Sequence, residues 1–106
     1  MAADEGFRDR VLARLAPLPG VSSRSMFGGF GIFSEQGMFG LISGSDLFFK
    51  VDESNLAEYE KAGSKKHGPM PYYKVPEAVL EDVPQLLSWA RTSIAVAERA
   101  PKKKKG

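Results

Sequence analysis

The sequence predicts an α+β domain: one antiparallel meander sheet of four to five strands, with helices packed mainly on one face. Two observations carry this. Residues 21–51 hold four short apolar runs, rich in phenylalanine, separated by breaks of two to four residues that each contain glycine. Such breaks suit hairpins, whereas parallel strands need crossovers of about a dozen residues or more. On either side of this stretch, apolar residues recur at helical spacing.

The elements follow in order. Residues 4–16 read as an amphipathic helix, with Phe7, Val11, Leu12 and Leu15 on one arc. Asp4 is placed to cap it, and Pro17, Pro19 and Gly20 stop it. Strands are expected at 22–27, 30–33, 38–43 and 47–51. Strand faces alternate, so Met38 and Phe39 must point to opposite sides of the sheet, as must Phe48 and Phe49. Residues 52–62 form a second helix, capped by Asp52 or Ser54, with Gly63 just past its end. Residues 64–71 are a polar loop, and 72–75 a short strand that Pro76 confines to an edge.

The last helix is the strongest signal. Asp82 with Gln85 three residues on resembles a capping box, and Pro84 is tolerated in the first turn. Val83, Leu86, Leu87, Ala90, Ile94 and Ala97 cover one face; Trp89, Ser93 and Val96 form a second stripe, a candidate partner contact. Residues 1–100 are therefore one domain, and 101–106 a disordered, lysine-rich tail.

Charge follows that division. The 106 residues carry 15 basic and 13 acidic side chains, a net charge of +2. Four of the bases are the tail residues Lys102, Lys103, Lys104 and Lys105, without which the net charge is −2. The basic character belongs to the tail and not to the domain. The chain has no cysteine and one histidine, so zinc sites of the usual kinds and a cysteine nucleophile are excluded. No apolar run approaches the roughly 20 residues of a spanning helix, and the N-terminus lacks a signal-peptide pattern. These features predict a cytoplasmic protein without membrane, metal or cofactor.

Catalytic and nucleotide motifs fail in detail. Gly28-Gly29-Phe30-Gly31 lacks both the third glycine and the following helix of a dinucleotide fingerprint, and no P-loop lysine follows it. The stretch from Gly29 to Phe33 is similar to an aromatic RNA-stacking strand, but without the basic residue expected before the glycine. Phe27, Phe30, Phe33, Phe39, Phe48 and Phe49 read as core. His67 lacks an evident triad, and the carboxylate pairs Glu81/Asp82 and Asp52/Glu53 have helix-capping explanations.

Four segments in order resemble the N-terminal domain of the TfoX/Sxy family, bacterial regulators of natural competence. They are Arg24-Ser25-Met26-Phe27-Gly28-Gly29-Phe30-Gly31, then Leu47-Phe48-Phe49-Lys50-Val51-Asp52, then Tyr72-Tyr73-Lys74-Val75-Pro76, then Leu86-Leu87-Ser88-Trp89-Ala90-Arg91. The likeness runs over residues 7–98. It implies a compact α+β domain, a role in transcription regulation, and no catalytic residues. It marks Met26, Phe27, Gly28, Gly29, Gly31, Lys50, Asp52, Tyr72, Tyr73 and Pro76 as shared structural or interaction positions. Full-length family members carry a second, C-terminal domain; here the chain runs into the lysine tail, and that domain is expected to be absent.

The leading expectation is a non-enzymatic interaction domain whose partner is a transcription regulator or a second copy. The alternative is direct nucleic-acid binding through Lys65, Lys66, His67, the tail lysines and an aromatic sheet face. An enzyme using His67 is the third.

Overall fold

The computed structural model describes residues 5–26 and 28–99. Helix α1 (Glu5–Leu15) is followed by strands β1 (Ser22–Met26), β2 (Gly29–Ser34), β3 (Gly37–Ser43) and β4 (Asp46–Lys50). Then come α2 (Leu56–Lys61), β5 (Tyr72–Lys74), α3 (Glu77–Glu81) and α4 (Val83–Arg99). The strands lie side by side in chain order, each antiparallel to the next. The expected meander is thus found, with five strands. Phe27, Asp4 and the tail lie outside the described residues.

Helices cover one face of the sheet. Phe30, Ile32, Ile42, Leu47, Phe49 and Val75 pack there with Phe7, Val11 and Leu15 of α1 and Leu86, Ala90 and Ala97 of α4. A smaller cluster, Leu41, Phe48 and Tyr72 with Met38 and Met70, lies apart from it on the other face. Phe48 and Phe49 divide between the two clusters as alternation requires, and so do Met38 and Phe39.

One irregularity sets this arrangement. Ile32 pairs with Gly40 but Phe33 with Met38, so Phe39 is the extra residue of a β-bulge. In an unbroken strand Phe39 would share a face with Leu41. The bulge turns it into the helix-side core, where its ring lies 5.8 Å from that of Phe49.

Three expectations need correction. Helix α2 begins at Leu56, later than capping by Asp52 or Ser54 would place it. Asp52 instead folds back on Ser54, its Oδ1 accepting from the Ser54 amide at 2.8 Å and from the Ser54 hydroxyl at 2.6 Å. Asn55 precedes the helix, and its side chain is committed elsewhere: Oδ1 accepts from the Asp52 amide at 2.8 Å and Nδ2 donates to the Lys50 carbonyl at 3.3 Å. Helix α3 was not foreseen, because five residues are too few to show a period.

The third correction concerns α4. Ser93 and Val96 are fully buried, so they are not a surface stripe, and Val83 is 37% exposed rather than core. The buried face is rotated towards the small residues Ala90, Ser93 and Ala97, and Ser93 is accepted there because its Oγ donates to the Lys50 carbonyl at 2.8 Å. The Asp82 cap is present: its Oδ1 accepts from the Gln85 amide at 3.3 Å.

Candidate interaction surface

The helix-free sheet face is built by alternate residues of all five strands. Register places Arg24 opposite Gly31, Gly31 opposite Leu41, Leu41 opposite Phe48, and Lys50 opposite Tyr72. Met26, Phe33, Met38 and Lys74 share this face. Leu41, Phe48 and Tyr72 are buried without any helix above them.

A loop supplies part of the cover. Residues 65–67 run back along β5: the Lys74 amide donates to the Lys65 carbonyl at 2.9 Å, and the His67 amide to the Tyr72 carbonyl at 2.8 Å. Lys66 forms an isolated bridge with Tyr73. The loop then brings Met70 onto Leu41, Phe48 and Tyr72. Tyr72 donates from its hydroxyl to the Met38 carbonyl at 3.4 Å, and burial pushes that hydroxyl up to about 12 from 10.0.

Among the described residues no loop reaches the β1–β3 end in this way. Gly31 is the floor of a methionine pair there. A Cβ at this position would lie 2.7 Å from Met26 Sδ, 3.0 Å from the Phe33 ring and 3.2 Å from Met38 Sδ, so the three side chains occupy its space. Gly29 is required for a different reason: a Cβ there would fall on the Ile42 carbonyl oxygen. Gly28, with φ +73°, takes the turn between β1 and β2. Cations lie over the aromatic rings, with the Arg24 guanidinium 4.7 Å from the Phe33 centroid and Lys50 Nζ 5.2 Å from that of Tyr72. Neither Arg24 nor Lys50 is ion-paired among the described residues.

The three basic-loop candidates are brought together. Lys65, Lys66 and His67 line a cavity of about 570 Å³ with Phe48, Lys74 and the acidic Asp46 and Glu77. Lys74 Nζ is held 3.4 Å from Asp46 Oδ1. The His67 ring stands edge-on to Phe48 at 4.8 Å, and its Nδ1 is buried without a hydrogen-bond partner. The imidazole is therefore placed by packing and by its backbone, not by the carboxylate and hydroxyl partners of a triad. Lys102, Lys103, Lys104 and Lys105 lie outside the described residues.

Among the partner-contact candidates, Trp89 alone reaches the surface. It lines a groove with Glu58, Pro76 and Gln85, and its ring packs edge-on to buried Tyr59 at 4.7 Å. Ser93 ties α4 to the end of β4, where the Lys50 carbonyl accepts from both Ser93 and Asn55. The family positions Lys50 and Asp52 belong to this knot. Arg99 of α4 donates to Asp52 Oδ2 at 3.2 Å and to Ser54 Oγ at 2.9 Å. The Ser54 hydroxyl, then its amide, and to a lesser degree Arg99 hold the Asp52 carboxyl below its ordinary value. Pro76 opens α3, and Tyr73 packs 6.0 Å from Tyr59.

The β1–β3 end of the surface is not legible in the sequence: Met26 is a family position, but Met38 and Phe33 join it only through the bulge and register of β2 and β3. Among the described residues no cluster of three or more histidine, aspartate or glutamate side chains is placed to hold a metal ion, and no helix is long and apolar enough to cross a membrane.

A five-stranded meander with helices on one face, and a basic, methionine-rich surface on the other, defines a small α+β domain with one helix-free sheet face. The chain belongs to the TfoX N-terminal domain family, whose family model matches residues 13–97. That span is slightly shorter than the 7–98 suggested by the motifs and contains all four motif segments. Membership supports a regulatory domain of this type. No curated protein matches the chain.

Proposed function

We propose that this protein is a non-enzymatic, cytoplasmic regulatory domain that acts through protein–protein contacts with the transcription machinery, in the manner of a competence regulator. Membership of the TfoX N-terminal domain family is the observation that carries the reading. The surface is consistent with it: three methionine side chains, Met26, Met38 and Met70, border the helix-free face, and flexible thioethers adapt well to a partner's side chains.

The test is cross-linking in the source cells followed by capture of the tagged chain. RNA polymerase subunits or a transcription regulator should be recovered, and deletion of the gene should change the transcripts that the partner controls. Capture that recovers no transcription component would sink the proposal.

The cavity formed by Lys65, Lys66 and Lys74 favours one second reading, direct contact with nucleic-acid phosphates. That reading requires binding to a single-stranded oligonucleotide at low salt that survives removal of residues 101–106 and is lost in Lys65→Ala/Lys66→Ala.

A further inference from the structure

Acidic charge in this domain is concentrated around α2 and α3, while α1 and α4 carry five arginines against Glu5, Asp9 and Glu98. Residues 51–61 and 75–82, which include α2 and α3, carry seven acidic side chains and one lysine. The five strands and the tight turns between β1 and β4 carry Arg24, Lys50 and Lys74 against Glu35 and Asp46, and the loop before β5 adds Lys65 and Lys66. The net charge of the domain hides this division. The helix-free face carries Arg24, Lys50 and Lys74 against Asp46, and two of these cations, Arg24 and Lys50, are held over aromatic rings with no carboxylate partner among the described residues.

We infer that the β1–β3 end of the helix-free face docks an acidic protein segment with interspersed apolar side chains. It seats on Met26, Phe33 and Met38 and pairs its carboxylates with Arg24 and Lys50. The inference rests on the reading of the protein as an interaction domain and adds the surface and the chemistry of the partner. Met70 already roofs the β4–β5 end, so the segment lies across β1–β3. Gly31 holds the two thioethers close to the sheet, which leaves a shallow apolar floor with cations at its margins. Carboxylates at that margin steer the segment and set its register.

The same observations disfavour a nucleic-acid strand on this face. Base stacking needs open ring faces. Phe48 and Tyr72 are buried, Lys50 lies across Tyr72, and Arg24 covers Phe33. Methionine thioethers accommodate aliphatic side chains better than they support stacked bases.

The experiment uses the full chain with 13C-labelled methionine methyl groups. The probes are a synthetic peptide of alternating leucine and glutamate, the same peptide with lysine for glutamate, and a single-stranded oligonucleotide. The Leu/Glu peptide should shift the Met26 and Met38 methyl signals saturably, with an affinity that falls as salt rises. Arg24→Glu, whose exposed side chain can be reversed without touching the core, should weaken this binding by about tenfold while the thermal unfolding midpoint holds. Equal response to the lysine peptide, or a preference of these methyls for the oligonucleotide, would overturn the inference. So would light scattering that shows a dimer, together with Met26 and Met38 methyl signals that shift on dilution. A transcription partner captured equally well by wild type and by Arg24→Glu would also remove this surface while leaving the wider reading intact. No captured partner, with peptide binding retained, would remove the transcription role and leave the surface.

Discussion

The Lys50 carbonyl accepts two side-chain hydrogen bonds, from Ser93 on α4 and from Asn55 ahead of α2. Both donors are buried, so each bond satisfies a group that has lost water. Ser93→Ala removes one of these bonds from the core and should cost about 1–2 kcal/mol, read as a lower urea midpoint at unchanged slope. Tyr59→Phe should have the opposite sign. The Tyr59 hydroxyl is buried without a hydrogen-bond partner, and burial pushes its pKa up despite Ser93 nearby. Deleting that hydroxyl should stabilise the domain by about 1 kcal/mol in the same titration. Tyr72 carries a pH dependence. Its pKa rises from 10.0 in the unfolded chain to about 12 on folding, because burial disfavours the phenolate. The folded state therefore holds its proton longer. The stability contribution is complete below pH 10.0 and is lost as pH climbs through about 12. Tyr72→Phe should flatten that part of the alkaline decline in stability.

Among the elements, those with several turns or clear alternation were legible in the sequence. The meander was readable because glycine-bearing breaks between the first four strands leave no room for crossovers. The opposed side chains at Phe48/Phe49 follow from strand parity alone. Three features were not readable, each for a physical reason. The bulge at Phe39 depends on pairing with β2, which no local pattern records. Helix α3 is too short for periodicity. The rotation of α4 was hidden because a serine in a helix is scored as polar, whereas Ser93 is buried against a β4 carbonyl that only the tertiary fold brings near. The candidate site was half legible for the same reason. Lys65, Lys66 and His67 are neighbours in sequence, but Lys74 joins them only through the return of the loop along β5. Asp82 shows how one residue joins two elements. Its amide closes α3 on the Val79 carbonyl at 3.1 Å, and its carbonyl and carboxylate receive the Leu86 and Gln85 amides of α4. Asp82→Ala keeps the backbone bonds and removes the cap. It should cost about 1 kcal/mol and speed amide exchange in the first turn of α4.

At the scale of the whole molecule, two sources of positive charge have to be separated. One is the run from Lys102 to Lys105; the other is the basic side of the sheet and its loop. The cavity cations are partly neutralised where they stand, since Lys74 faces Asp46 at 3.4 Å and Glu77 lines the same cavity as Lys65 and Lys66. The four tail lysines have no acidic residue within three positions in sequence. Counterion release predicts how each source would register. Every phosphate neutralised on a single strand contributes about 0.7 to the salt slope of the binding constant, so four lysines contribute about 3. Titration of the full chain with a single-stranded oligonucleotide at several salt concentrations should therefore give a slope of about that size. Removal of residues 101–106 should abolish it. Lys65→Ala/Lys66→Ala in the full chain should leave it nearly unchanged. A slope that persists without the tail and falls with the two loop lysines would locate phosphate binding in the domain and favour the nucleic-acid reading. The first pattern would leave the domain's own surface, with its methionines and unpaired cations, for an acidic protein partner.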